Sequence, residues 1–350
     1  MKKNGTGMGL SFALIHFLVE VTSFYVIAQY TDDPLVWTLA LIYDFFAFMP
    51  QGIFGYLRDT LLPKTDLAII GTLITSVSLL MLPFGLSPYL TVTVVSIGNA
   101  LVHVQGAEET LRAAPGKMTP AAAFVSGGSF GLITGRLLAK AGCPMPVILA
   151  ANLLIIAVSL LSKKLRVPAE TEAENLALYR FGNQKLNPKL IVALAVVVVT
   201  VRSYMGYGIP TTWNQTVIQS VLLYCFMGTG KALGGVFIDR FGIRKTAAVS
   251  TLGALPFLLF GDRVMIVSLI GILFFSMTMA ITLALIVSVL PEYPGFAFGF
   301  TTVGLAVGTF PVFFWKTDSL LVNCVIVTTL TLLSFALLQV ICEKKEKKAV

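Results

Sequence analysis

His16 and Glu20 stand four residues apart inside an otherwise apolar run near the start of the chain. Residues spaced i and i+4 share one face of a helix. An imidazole and a carboxylate would meet there and could exchange a proton. Asp44 is a second isolated acid in the next apolar run, and Arg202 and Lys231 are isolated bases in two later ones. His103 and Arg136 interrupt two more. An ionisable group deep in hydrocarbon costs at least about 2.5–3.5 kcal/mol, so each is a functional candidate by default. In one reading Arg202 and Lys231 bind an anionic group, with Tyr204, Arg136 and Asn99 lining the same cavity. Glu20, Asp44, His16 and His103 then carry protons. In the other reading these charges are buried ion pairs, such as Asp44 with Lys231, that hold the molecule together. Tyr204 can equally be an interfacial anchor, Asn99 an interhelical hydrogen-bonding group, and Arg136 a snorkelling side chain beside Lys140. His103 can simply bond a neighbouring helix. Glu108 and Glu109 read as solvated residues at a membrane edge.

The elements that position these groups follow from composition. Hydrophobic residues make up 56% of the 350 residues and charged residues 12%, with a mean hydropathy of +0.87. A soluble domain has roughly 25% charged residues, so lipid must solvate most of this chain. A bilayer core of about 30 Å takes roughly 20 apolar residues per helix. That ruler places twelve spans, near 7–29, 35–57, 66–85, 88–106, 119–141, 144–162, 188–208, 214–237, 245–261, 264–289, 295–315 and 319–342. Breaks such as Asp32-Asp33-Pro34, Pro63-Lys64 and Asp262-Arg263 separate them. The fold class is therefore an all-α integral membrane protein, with twelve transmembrane helices in two pseudo-symmetric six-helix bundles. The first bundle covers 1–162 and the second 188–350, with a polar, solvated linker at 163–187.

Nearly all lysines and arginines fall in loops on one side of this arrangement. Only Lys140, Arg263 and Lys316 lie in the opposite loops, and Arg136, Arg202 and Lys231 fall inside spans. Positive charge marks the cytoplasmic side, so both termini are expected there, in an inner or plasma membrane. The net charge of +8 is dispersed among these loops; no basic patch with interleaved aromatics suggests nucleic acid. The four cysteines are far apart and form no CxxC pair, which argues against a disulfide framework or a zinc site. Two histidines without a carboxylate cluster argue against a dedicated metal site. Gly228-Thr-Gly230-Lys231 lacks the flanking residues of a phosphate loop: Cys225 and Ala232 stand where Gly and Ser or Thr are needed. No nucleophile–base spacing suggests an enzyme, and no cofactor is implied.

One segment is more specific. Gly234-Gly-Val-Phe-Ile-Asp239-Arg240-Phe-Gly242-Ile-Arg244-Lys245, after the eighth span, resembles the cytoplasmic loop signature of the major facilitator superfamily. A degenerate copy, Gly55-Tyr-Leu-Arg-Asp59, follows the second span and marks an internal repeat. Further stretches resemble the fosmidomycin-resistance-type branch of that superfamily: His16 to Glu20, Pro50-Gln51 to Gly55, Gly98-Asn99 through His103 to Gly106, Ser126 to Gly131, and Arg202-Ser203. Departures are Glu20 where relatives tend to have aspartate, Val104 for a proline, and Arg136 where helix 5 of antiporters usually carries proline. The resemblance implies a monomeric secondary transporter that works by alternating access, its partners being a small-molecule substrate, protons and the lipid bilayer. Arg202 and Lys231 favour an organic anion as substrate. The alternatives are an antiporter exporting drug-like compounds, and a non-transporting sensor or scaffold on the same fold.

Overall fold

The computed structural model describes residues 2–31, 34–166, 178–209, 211–315, 317 and 319–343. The expected break at Asp32-Asp33, residues 167–177 of the linker, Lys316 and the basic tail lie outside the described residues. Among those described, twelve helices are long and apolar enough to cross a membrane. They are α1 (Gly5–Ala28), α2 (Val36–Thr60), α3 (Leu67–Phe84), α4 (Pro88–Ala113), α5 (Thr119–Lys140) and α6 (Met145–Leu165). After the linker come α7 (Pro188–Gly208), α8 (Val217–Phe241), α9 (Ile243–Phe260), α10 (Met265–Val287), α11 (Pro294–Phe313) and α12 (Leu320–Ile341). Helices are the expected solution in lipid, because each satisfies its own backbone polar groups.

Several helices are irregular for legible reasons. The α2 helix is interrupted at Met49-Pro50, where proline has no N–H to give the helix ladder. A π turn occupies Val249–Gly253 in α9, and α10 breaks at Met277. The α4 helix runs several residues past the expected end, through Glu108 and Glu109. The expectation of solvated glutamates is corrected here: both are buried, at 4% and 5% exposure. Their charges stay inside because partners come with them. Arg58 Nε lies 2.7 Å from Glu108, Arg112 bonds Glu108 at 3.0 Å, and Arg166 bonds Glu109.

The described ends of the linker also touch the helices, while Lys164, Arg180 and Lys185 stay exposed. Lys163 pairs with Asp66 at 3.1 Å. The Tyr179 hydroxyl is buried and donates to the Leu111 carbonyl, and Gly182 makes a β-bridge to Cys342.

Within the first six helices α1 packs along α5, and α3 along α4. The second six pack through α7 with α12 and α8 with α10. The two sets meet chiefly where α5 packs on α8 and α2 on α11. Small residues allow that approach. A Cβ on Gly55 would lie 2.3 Å from the Gly295 carbonyl oxygen, and one on Gly235 2.6 Å from that of Met118.

Candidate functional site: a charged central cavity

Both copies of the loop motif do the same work, each reaching into the other set of helices. Asp59, at the end of α2, accepts hydrogen bonds from the Gly295 and Phe296 N–H groups at 3.3 and 2.8 Å, at the start of α11. Asp239, at the end of α8, accepts from the Met118 and Thr119 N–H groups at 2.9 and 3.1 Å and from the Thr119 hydroxyl at 2.6 Å, at the start of α5. The first N–H groups of a helix have no partner in the helix and carry its positive dipole end. A carboxylate satisfies both requirements. These two caps close the side of the molecule that carries the chain ends. Gly242 turns the chain with a φ of 88°, and Arg240 lies over the Phe241 ring. Arg244 Nε donates to Gln339 on α12.

Away from that closed end, a cavity lies between the two sets of helices. It has two adjoining lobes, of about 440 and 390 Å³, which share Tyr207, Tyr224, Met227 and Lys231 among their walls. Trp37 and Phe313, at the opposite ends of α2 and α11, border the second lobe, so it extends towards the side away from the chain ends.

Arg202 lines the first lobe and is 5% exposed. Its Nη2 donates to the Ser250 and Phe275 carbonyls at 2.9 and 3.0 Å. Ser250 belongs to the π turn of α9, and Phe275 lies just before the break in α10. Irregular turns of this kind occur often at functional sites. The guanidinium also sits 3.8 Å over the Phe275 ring. Nε and Nη1 have no acceptor among the described residues, and no carboxylate there comes within ion-pair distance. Lys231 is half-buried and likewise has no carboxylate partner among the described residues. The alternative pairing of Asp44 with Lys231 is therefore not formed. Asp44 lines the second lobe with no hydrogen-bond or ion-pair partner among the described residues.

Glu20 is held on every side. Asn99 Nδ2 donates to its Oε1 at 3.0 Å and the Tyr43 hydroxyl to its Oε2 at 3.3 Å. His16 Nε2 and His103 Nε2 lie 3.7 and 3.4 Å from Oε1. The expectation that two histidines lack a carboxylate cluster is corrected: helices α1 and α4 bring both to Glu20. Spacing within α1 predicts the first contact, but only the α1–α4 packing supplies the second.

The remaining candidates divide. Arg136 is exposed in the second lobe. Asn99 is fully buried and engaged with Glu20 and Ser23, so it positions Glu20 rather than lining the cavity. Tyr204 stacks beside Trp315 in a separate small pocket, outside the central cavity. Residues that sequence reasoning passed over include Tyr43 and Phe275; aromatic side chains in apolar spans carry no distinguishing signal. The Gly228 to Gly230 run is helix packing, since a Cβ on Gly230 would lie 2.2 Å from the Leu273 carbonyl oxygen.

No family model matches the chain, and no curated protein matches it by sequence. Solved structures do match. The E. coli fucose:proton symporter FucP superposes with a TM-score of 0.68 at 14% identity, over 95% of this chain and 97% of that one. The chain has the major facilitator transporter fold. The human organic anion transporter TETRAN gives a TM-score of 0.62 at 16% identity, covering 96% of this chain and 98% of its own. The proton:xylose symporter XylE, bound to 6-bromo-6-deoxy-D-glucose, gives 0.62 at 13%, covering 96% and 94%. Identities this low carry the fold alone. In that fold, inverted repeats nest within each six-helix half, and the cavity here lies between the two sets of helices.

Proposed function

We propose that this protein is a secondary transporter that moves a small organic anion by alternating access, coupled to protons. The observation that carries the anion is Arg202: a buried guanidinium on the cavity wall with two donor nitrogens unmatched by any described acceptor. A buried charge left unpaired costs several kcal/mol, and a carboxylate, phosphonate or sulfonate in the cavity would offset that cost through charge-assisted hydrogen bonds. Lys231 shares the lobe, and Arg136 adds positive charge to its neighbour. Three cations in one cavity also weigh against a cationic drug as cargo. Efflux of a drug-like anion, as the fosmidomycin-resistance-type resemblance implies, is a narrower form of the same reading.

The proton belongs on Asp44. Among the four groups with a proton-carrying expectation, Glu20, His16 and His103 are buried together and the Glu20 carboxylate is taken up by Asn99 and Tyr43, whereas Asp44 faces the cavity without a partner among the described residues. The fucose and xylose symporters that share this fold are themselves proton symporters. In this reading the chain ends are cytoplasmic and the described state faces outward. A single chain contains the whole cavity, so a monomer suffices.

A thermal-shift screen of the purified protein against small carboxylates, phosphonates, sulfonates, neutral sugars and organic cations tests the proposal. A ligand at a hundred times its Kd stabilises by about 2.7 kcal/mol. Selective stabilisation by an anion, absent in Arg202→Ala and Lys231→Ala that remain folded, is the expected result. Stabilisation by neutral or cationic compounds alone, unchanged in both variants, would overturn it.

A further inference from the structure

The floor of the second lobe holds chemistry that anion transport does not use. His16 Nδ1 faces the Phe124 carbonyl at 2.8 Å, and His103 Nδ1 faces the Asn99 carbonyl at 2.9 Å. A carbonyl oxygen only accepts, so each Nδ1 carries its ring's hydrogen, and each neutral ring presents a lone pair at Nε2. Both Nε2 atoms have the same neighbour, Glu20 Oε1, at 3.7 and 3.4 Å. Neither gap is a hydrogen bond. All three atoms nevertheless lie within 4.8 Å of one another, and all three residues are buried. Three converging acceptors repel one another unless a proton or a metal cation lies between them, and gaps of 3.4 and 3.7 Å are long for a bridging proton.

The two measured spacings suit a small tetrahedral cation. In a tetrahedron the ligand–ligand edge is about 1.63 times the metal–ligand distance, so bonds of about 2.0–2.1 Å to nitrogen and oxygen give edges of about 3.3–3.4 Å. The two measured gaps are that edge or a few tenths of an ångström longer. The supporting contacts are also those of a metal site, since a ligating histidine typically donates its other ring N–H to a carbonyl or carboxylate. Asn99 and Tyr43 orient the carboxylate in the same way. Two imidazoles and one carboxylate suit zinc, cobalt, nickel or ferrous iron, whereas magnesium and calcium take oxygen donors.

From this geometry we infer that His16, Glu20 and His103 bind one divalent transition-metal ion of the zinc class. All three line the lobe that also contains Lys231. A fourth ligand would therefore come from the cavity, and an anion there would touch the metal on one side and be drawn to Lys231 on the other. Lys231 by itself opposes a cation nearby, so such an anion strengthens the site. The metal site does not depend on the anion proposal, and the two fail separately.

The test is cobalt(II) titration of the purified full-length chain, using the metal ion alone. The expected result is one equivalent bound with the intense visible absorption of tetrahedral cobalt, displaced by zinc and not by excess magnesium. Glu20→Gln and His103→Gln should each weaken binding by at least about a hundredfold, more than the 10–100-fold typical of outer-shell changes. Arg202→Ala should leave it intact even if anion binding is lost. Absence of a tetrahedral spectrum on folded wild-type protein would overturn the inference whatever the variants do. So would thiolate-to-cobalt charge-transfer bands, which would place the ion on a cysteine, or binding unaffected by both substitutions.

Discussion

Glu108 is a buried carboxylate with two arginines around it, and its value lies in what its removal would leave behind. Arg58, 3% exposed, packs against it from α2. Glu108→Ala would leave that guanidinium buried with Glu109 as its nearest carboxylate, at 3.8 Å. Breaking a buried pair from one side costs about 3–5 kcal/mol. Loss of thermal stability of that order in detergent is the expected outcome, and an unchanged melting temperature would make the pair dispensable. Asp44 offers a different prediction because it has no partner to lose among the described residues. Asp44→Asn should fold normally and still exchange labelled solute across a vesicle membrane, yet fail to accumulate it when a pH gradient is imposed. Accumulation equal to wild type would remove Asp44 from the coupling path.

At the scale of helices, the glycines and aspartates of the repeated motif act together. Gly235 lets α8 approach α5 closely enough for Asp239 to reach the first N–H groups of α5. Gly235→Val should push these helices apart and favour a state open at the side of the chain ends. Spin labels at Leu61 and Tyr293, in a background with the four cysteines replaced, would report this as a longer mean distance. The start of α3 supplies a pH prediction. Asp66 caps that helix through the Ile69 N–H and pairs with Lys163. Burial pushes its carboxyl up, but Lys163 and the cap outweigh burial, and its pKa falls below the ordinary aspartate value. A depressed folded-state pKa adds stability above the unfolded value, near 4, which is lost as pH falls towards the folded one. Asp66→Asn should therefore be less stable than wild type at neutral pH, and that difference should shrink on acidification below about pH 4. A difference in melting temperature that stays constant across this range would count against it.

For the molecule as a whole, the two aspartate caps form one closure related by the internal repeat. Loss of either charge in Asp59→Asn or Asp239→Asn should shift the population partway, and loss of both should shift it further than either alone. The same pair of spin labels measures all three. Much of this architecture was readable beforehand. The twelve spans lie within a few residues of their expected places, except that α4 continues past its apolar run because arginines on α2, on its own last turn and in the linker accompany its glutamates. The motif copies and the helix starts at 119 and 295 were visible as sequence, but their pairing was not, because it depends on how α5 and α11 are placed against α8 and α2.

What the sequence by itself determined is the solvent and the secondary structure. A chain this apolar must lie in lipid, and lipid obliges the backbone to satisfy itself within helices. Local spacing also placed His16 and Glu20 on one face. Tertiary packing alone decided the company each charge keeps. His103 joins Glu20 from 83 residues away, Asp44 and Lys231 stay apart, and Arg202 is held by carbonyls rather than by an acid. Such pairings depend on how closely and at what rotation separate helices meet, and that depends on small residues and breaks acting together across the chain. A period of 3.6 residues describes one helix face and says nothing of which other face it will meet.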